Sequence, residues 1–283
     1  AVGNHDVLVQ GNEDANVAFE AVATGCVKPM GPFSSADPSA DSIEDVLDPA
    51  YLAGLLATEP GKTAVVPPDS RRQYVNKAQQ KALFGAGSQA DAHGFGFVDA
   101  AEQAASNGSA MYYSFSPKPG IRMIALDTNT SGAGFLIDPT TGSDTSNGNI
   151  DDPQWRWLQG ELDEAEAAGE LVITYSHHAS TSMNFSLADE LATPCTVPDG
   201  HGHDINPGCD ADPRSSLPIH QGDEFVQLLA SHPNVIAHVA GHSHENEVIP
   251  HAAGAGGFWE IKSPAIADWP TQPVDPFFNV NTP

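Results

Sequence analysis

The sequence predicts an α/β protein with a mixed β-sheet, and three observations support this prediction. Short runs of Val, Ile and Leu alternate with helical patterns in the second half of the chain, which is the order of layered α/β folds. Several of these runs are too short for helices and are bounded by Gly, Pro or Asn. Two apolar segments near the end, 247–251 and 257–262, predict strands that close the sheet.

The first third of the chain is predicted to be an insertion, at about 18–108, within a single domain that spans 1–283. Asp41 precedes a helical pattern that ends at residue 56, and Asp69 precedes another that ends at residue 84. Gly- and Pro-rich connections separate these patterns. Two interpretations are open for the insertion, a structural embellishment and a lid that selects the substrate.

The elements that follow are a hairpin, a helix and a strand. Two alternating segments, 111–116 and 121–127, flank a Pro-Lys-Pro-Gly turn, which predicts a β-hairpin. A polar stretch over 127–149 predicts a long loop, and Asp151 caps the helix after it. The positions of this helix that recur at helical spacing and should face the sheet are Trp155, Leu158 and Leu162. A strand is predicted over 171–175.

A second polar excursion covers 180–217, and a short helix at 225–229 precedes the strand that ends at Gly241. Cys195 and Cys209 lie in this excursion and predict either a local disulfide or, with two histidines between them, a zinc site. Those two histidines are His201 and His203. Cys26 has no predicted role.

Three apolar runs end in groups that can bind a cation. The run at 171–175 leads to a His-His pair, the run at 235–240 leads to Gly-His-Ser-His, and the first two residues lead to Gly-Asn-His-Asp. Ligand sites form beyond the carboxyl ends of strands in α/β sheets, and imidazole is a common ligand for zinc, iron and manganese. We therefore predict that the three ends meet at one metal site. Gly241 is expected to supply the backbone freedom that lets His242 and His244 converge.

These three blocks, in this order, resemble the last three signature blocks of the calcineurin-like dinuclear metallophosphoesterase superfamily. The segment 122–128 and the helix around 154–158 also fit. The segments 258–261 and 268–270 are similar to the tail of a bacterial, actinobacterial-type branch. The resemblance implies a layered α-β-β-α sandwich with mixed sheets. The family's first two blocks, D-x-H and G-D-x-x-D, do not precede Gly-Asn-His-Asp, because the sequence starts at that third block, so we expect a C-terminal fragment that lacks the N-terminal strands.

The resemblance implies hydrolysis of phosphate esters by a hydroxide that bridges two metal ions of the Mn, Fe or Zn type. Asn4, His177 and His242 would bind one ion, and His244 would bind the other. The remaining implied roles are catalysis by His5 and orientation of His5 by Asp6. His178 would contact phosphate or cap its strand. Because the other ligands belong to the missing blocks, at most one ion should be held well, and the fragment should be inactive alone.

Two other functions are open, a non-catalytic binding module with the same fold and an unrelated metal hydrolase of amide bonds. The second gives no role to the Gly-Asn-His-Asp block. The histidines outside the motifs are expected to be structural or exposed. They are His93, His201, His203, His220, His232 and His251.

The net charge of −26, with only 11 Lys and Arg, argues against nucleic acids and anionic membranes as partners. The expected partner is a small phosphate ester, and bound metal ions would have to reverse the local field for that anion. No apolar run is long enough for a membrane span. The acidic composition and the predicted disulfide favour an extracellular location, while the oligomeric state is not predicted.

Overall fold

The structure, a computed structural model, describes residues 3–7, 17–29, 54, 57–58, 61, 63–73, 75, 77–85, 92–129, 141–143, 146–186, 218–254 and 256–265. Its helices are α1 (Asn4–Val7), α2 (Val17–Thr24), α3 (Lys77–Gly85), α4 (Ala100–Ala105), α5 (Asp152–Ala168) and α6 (Gly222–Ser231). Its strands are β1 (Val27–Pro29), β2 (Thr63–Val65), β3 (Tyr113–Lys118), β4 (Ile121–Ala125), β5 (Ile150–Asp151), β6 (Leu171–Tyr175), β7 (Ile219–His220), β8 (Val235–Ala240), β9 (Glu247–Ala253) and β10 (Gly256–Lys262).

Six strands form one mixed sheet in the order β3-β4-β6-β8-β10-β9. The four central strands β4, β6, β8 and β10 run parallel to one another, and the outer strands β3 and β9 are antiparallel to β4 and β10. The parallel pairs matter for function, because they place the carboxyl ends of β4, β6 and β8 at the same edge of the sheet. The predicted α/β class and mixed sheet are confirmed.

Helix α5 covers one face of the sheet, and its sequence explains where the helix begins and ends. The Asp151 side chain accepts the backbone N–H of Gln154, and the helix ends at Gly169, which has a φ of 69°. The apolar stripe was predicted correctly, because Trp155, Leu158 and Leu162 are all buried in the core. Each buried leucine stabilises the fold by about 1.5–3 kcal/mol. Helix α6 packs beside α5 on the same face.

The other face of the sheet carries a row of residues that are in register across three strands, Ile173, Ala237 and Trp259. The side chain of Trp259 is 55% exposed. A second large sheet, as in the layered sandwich that the resemblance implies, is not among the described residues. Within the same residues, no helix has the length and apolar character needed to cross a membrane.

Several local predictions need correction or lie outside the described residues. Asp69 caps a short 3-10 turn, Ser70–Arg72, rather than a long helix, because the extended backbone of Gln73 (ψ 150°) ends the turn. Helix α3 begins only at Lys77. The helix predicted to follow Asp41 lies almost wholly outside the description, and so do Cys195, Cys209, His201 and His203. Cys26 is an exposed free thiol. Helices α2 and α4 and the small sheets β1–β2 and β5–β7 were not predicted.

Candidate metal site

Two histidines meet because their strands are parallel neighbours. His177 follows the end of β6 by two residues, and His242 follows the end of β8 by two. Backbone hydrogen bonds continue the pairing past the strands, from Gly241 N–H to the His177 carbonyl (2.9 Å) and from Ser176 N–H to the Val239 carbonyl (3.1 Å). As a result, Nδ1 of His242 lies 3.2 Å from Nε2 of His177.

Helix α1 brings Asn4 to the same point from the start of the chain. The buried Asn4 side chain places its Oδ1 2.7 Å from Nε2 of His177. The Asp6 carboxylate caps this helix by accepting the backbone N–H of Gly3 (2.9 Å), and Asp6 N–H donates to the Gly3 carbonyl (2.9 Å). Gly3 packs on the imidazole ring, because a Cβ at this position would stand 2.8 Å from Nδ1 of His177. Glycine therefore permits the close approach of α1.

The distances within this group can be compared with the spacing of ligand atoms around one metal ion. Two ligand atoms at about 2.1 Å from one ion stand about 3.0 Å apart at a right angle and about 3.4 Å apart at the tetrahedral angle. The observed separations are 2.7 Å between Asn4 and His177 and 3.2 Å between His177 and His242. An amide oxygen and two imidazole nitrogens suit borderline ions. The separation of His177 and His242 lies in the range expected for two ligands of one ion, whereas that of Asn4 and His177 is the distance of a hydrogen bond that the Oδ1 atom accepts from Nε2–H.

His178 lies beside this group, but its ring is held by the protein. Its Nε2 is 2.7 Å from the Ser146 carbonyl, which can only accept, so Nε2 carries the proton. Burial, followed by the proximity of His242 and His177, lowers the pKa of His178 well below its usual value. The neutral ring thus accepts the Thr128 hydroxyl at Nδ1 (2.8 Å).

Ring nitrogens of His177, His178 and His242 all lie within 4.8 Å of one another. Both nitrogens of His178 already have protein partners, however. We therefore assign His178 a supporting position, in which it packs against the ring of His242 with centroids 4.5 Å apart.

Two residues that hold His178 were not selected from the sequence. Thr128 lies three residues beyond the end of β4, so the strand-end rule that found the histidines could have found it. Gly148 packs on His178, where a Cβ would stand 2.4 Å from its Nδ1 and 2.2 Å from the Thr128 carbonyl oxygen. Nothing in the sequence distinguishes Gly148 from the other glycines of its loop.

The turn after β8 is formed by histidines rather than by glycine. His242 and His244 have φ angles of 69° and 54°, in the left-handed region. This region costs a non-glycine residue about 1–2 kcal/mol. Gly241 does not have a positive φ, and a Cβ there would meet only ordinary contacts at 3.8 and 3.9 Å. The prediction that Gly241 allows the convergence is therefore wrong. Strain of this kind is typical of functional sites.

The structure thus brings together Asn4, His177 and His242 from three separate segments. His244 is half-buried on the same turn, but it is not in the histidine group found among the described residues. His5 lies in α1 with a side chain outside the description, and Asp6 is an exposed cap of that helix. The roles implied for His244, His5 and Asp6 stay predictions.

No protein-family model and no curated protein matches this chain. Among solved structures, the chain is similar to a dimetal phosphatase from Danio rerio, with 19% identity and a TM-score of 0.34. The similarity covers 55% of this chain and 49% of the phosphatase chain, so the chain spans about half the length of that protein. The functional argument therefore depends on the geometry of the site itself.

Proposed function

We propose that Asn4, His177 and His242 bind a divalent or trivalent metal ion, and that the site serves the metal-dependent hydrolysis of phosphate esters. The observation that carries the proposal is the convergence of three neutral ligand atoms from distant segments. Asn4 and His177 are 173 residues apart, and His177 and His242 are 65 residues apart. Packing of apolar side chains alone does not require these three polar side chains to meet.

The charge of the chain supports a cation at this point. A phosphate ester is an anion, and a protein with a net charge of −26 repels it. An amide and two neutral imidazoles leave the full charge on a bound ion, so the ion reverses the local field. When bound, a pair of such ions supplies hydroxide at neutral pH and stabilises negative charge on phosphoryl oxygens.

The roles proposed for the other residues of the signature blocks are those that the resemblance implies. His5 is proposed to protonate the leaving group or to stabilise charge, Asp6 to orient His5, and His244 to bind a second ion. No G-D-x-x-D block occurs in these 283 residues, and the D-x-H triplets at 91–93 and 199–201 lie after the Gly-Asn-His-Asp block, whereas the superfamily's block precedes it. We therefore propose that this chain holds the first ion well and the second weakly, and that turnover by the chain alone is low.

Metal binding is tested by calorimetric titration of chelator-treated protein with Mn²⁺ and Zn²⁺. We expect about one equivalent to bind tightly and His177→Ala and His242→Ala to abolish this binding. His232→Gln is the histidine control, because His232 is not one of the proposed ligands and its Nδ1 lies 3.0 Å from the Leu228 carbonyl at the end of α6. Absence of binding by the wild-type chain at millimolar metal would overturn the proposal.

Catalysis is tested separately with p-nitrophenyl phosphate and its bis-ester. Turnover that requires metal and is lost in His177→Ala supports the enzyme. Stoichiometric metal binding without turnover, in the complete product of the encoding gene, supports the non-catalytic binding module instead. Robust turnover by this chain alone that disappears in His5→Ala would contradict the proposed weakness of the second ion site.

A further inference from the structure

A buried carboxylate from β10 holds the turn that follows His177. Glu260 is fully buried. Its Oε1 accepts the backbone N–H of Ser180 (2.6 Å), and its Oε2 accepts the Ser180 hydroxyl (2.7 Å). The same Oε2 lies 2.6 Å from Nε2 of His251 on the edge strand β9. Each of these three contacts is with a hydrogen-bond donor.

The residue that Glu260 holds lies only three positions after His177. Ser180 begins a short 3-10 turn, Ser180–Ser182. The opposite side of this turn meets α6, where Gly222 allows contact, because a Cβ there would stand 1.9 Å from the Ser180 carbonyl oxygen. Glu260 and α6 thus hold Ser180 from two directions, so the backbone between β6 and the turn has little freedom.

A second buried group, His238 of β8, supports the start of the same segment. The Ser176 hydroxyl donates to the His178 carbonyl (2.6 Å) and lies 3.3 Å from Nε2 of His238. Nδ1 of His238 lies 2.9 Å from the Thr174 hydroxyl. The segment that carries His177 is therefore held at both ends by buried polar side chains, one from β8 and one from β10.

The ionised state of Glu260 is maintained by its hydrogen bonds. Burial raises the pKa of Glu260, but the two hydrogen bonds from Ser180 and the one from His251 outweigh burial and lower it. Burying an ionised carboxylate costs several kcal/mol unless its partners are well placed. An apolar residue would fill this position in the core without that cost.

We propose that Glu260 is a positioning residue for the metal site, which fixes the imidazole of His177 by holding Ser180. This inference rests on the proposed metal binding by Asn4, His177 and His242. Removing a group that hydrogen-bonds a metal ligand directly typically costs about 10–100-fold in metal affinity, and because Glu260 acts through Ser180, the lower end of this range applies.

The test is a titration of the full chain with Co²⁺, followed by visible absorption, because the bands report the ligand geometry as well as the affinity. We expect Glu260→Gln to weaken Co²⁺ binding about 10-fold and to change the spectrum. Ser180→Ala removes one of the two bonds and should weaken binding less. The double variant should bind no more weakly than Glu260→Gln alone, because both changes act through one contact.

Glu247→Gln is the control, because Glu247 is a half-exposed partner of Lys262 (2.8 Å) on the same sheet and should leave the affinity unchanged. Thermal unfolding distinguishes a positioning role of Glu260 from a purely structural one. If the role is purely structural, the substitution lowers the Tm but does not alter the Co²⁺ affinity of the folded protein. Wild-type affinity in Glu260→Gln and Ser180→Ala would overturn this inference alone. If Glu260→Gln does not fold, Ser180→Ala decides by itself. Failure of the wild type to bind Co²⁺ would overturn the proposed function and this inference with it.

Discussion

Replacing Gly3 by alanine tests whether helix α1 and His177 form one metal site. The new Cβ would stand 2.8 Å from Nδ1 and 2.9 Å from Cε1 of the His177 ring. Ordinary contact begins at 3.4 Å, so either the ring or α1 must move by about 0.6 Å, the difference between 3.4 and 2.8 Å. The same movement separates His177 from Asn4, which is now 2.7 Å away.

A displacement of this size is large for a metal ligand. Metal–ligand distances stay within about 0.2 Å of their ideal values, so the shift is about three times the tolerance. We expect Gly3→Ala to weaken Mn²⁺ binding at least about 10-fold, which corresponds to about 1.4 kcal/mol. The free energy of unfolding without metal should change less, because α1 is a single turn of 4 residues.

Calorimetric titration with Mn²⁺ measures the effect, and Gly160→Ala provides a matched control. Gly160 lies within α5, where a Cβ would have no neighbour within 4 Å. This control should bind Mn²⁺ like the wild type and gain up to about 1 kcal/mol of stability from helix propensity. Wild-type affinity in a folded Gly3→Ala protein would show that the contact between α1 and His177 does not hold the ion.

Three further predictions concern stability, pH and strain. Leu158→Ala should lower the free energy of unfolding, measured in urea, by about 2–5 kcal/mol because Leu158 is fully buried. The control Leu83→Ala, at a residue that is 65% exposed, should change it by less than about 0.5 kcal/mol. Equal effects of the two variants would contradict the assignment of Leu158 to the core. Burial lowers the pKa of His238 to about 4, so the unfolded chain binds more protons between about pH 6.5 and 4, and stability should fall across that window as the pH falls, by on the order of 3 kcal/mol. A His238→Gln variant with the same pH dependence would refute this cause. His242→Gly relieves left-handed strain but loses the ring contact with His178 and gives the unfolded chain more entropy, so the stability of the metal-free protein should change by less than about 1 kcal/mol. The increase in Tm on adding Mn²⁺ should disappear, and retention of that increase would exclude His242 as a ligand.

The sequence by itself determined the local elements and the candidate ligands. Strand and helix periodicity predicted β6, β8 and α5, and the capping residues Asp151 and Gly169 define where α5 begins and ends. The hairpin β3–β4 followed from its Pro-Gly turn. The histidines at the ends of β6 and β8 were identified for the same reason, because a strand and the polar residue after it are adjacent in the chain.

Only the tertiary structure decided which of these groups meet. Asn4 and His177 are 173 residues apart, and their contact depends on the packing of α1 and on the absence of a side chain at Gly3. The local sequence pattern predicted that Gly241 would adopt the unusual backbone conformation of the turn, whereas in the structure His242 and His244 have the positive φ angles. The role inferred for Glu260 depends on the register of β10 against β8 and on the turn at Ser180. Such contacts depend on sheet order and packing between distant segments, which short-range periodicity does not encode.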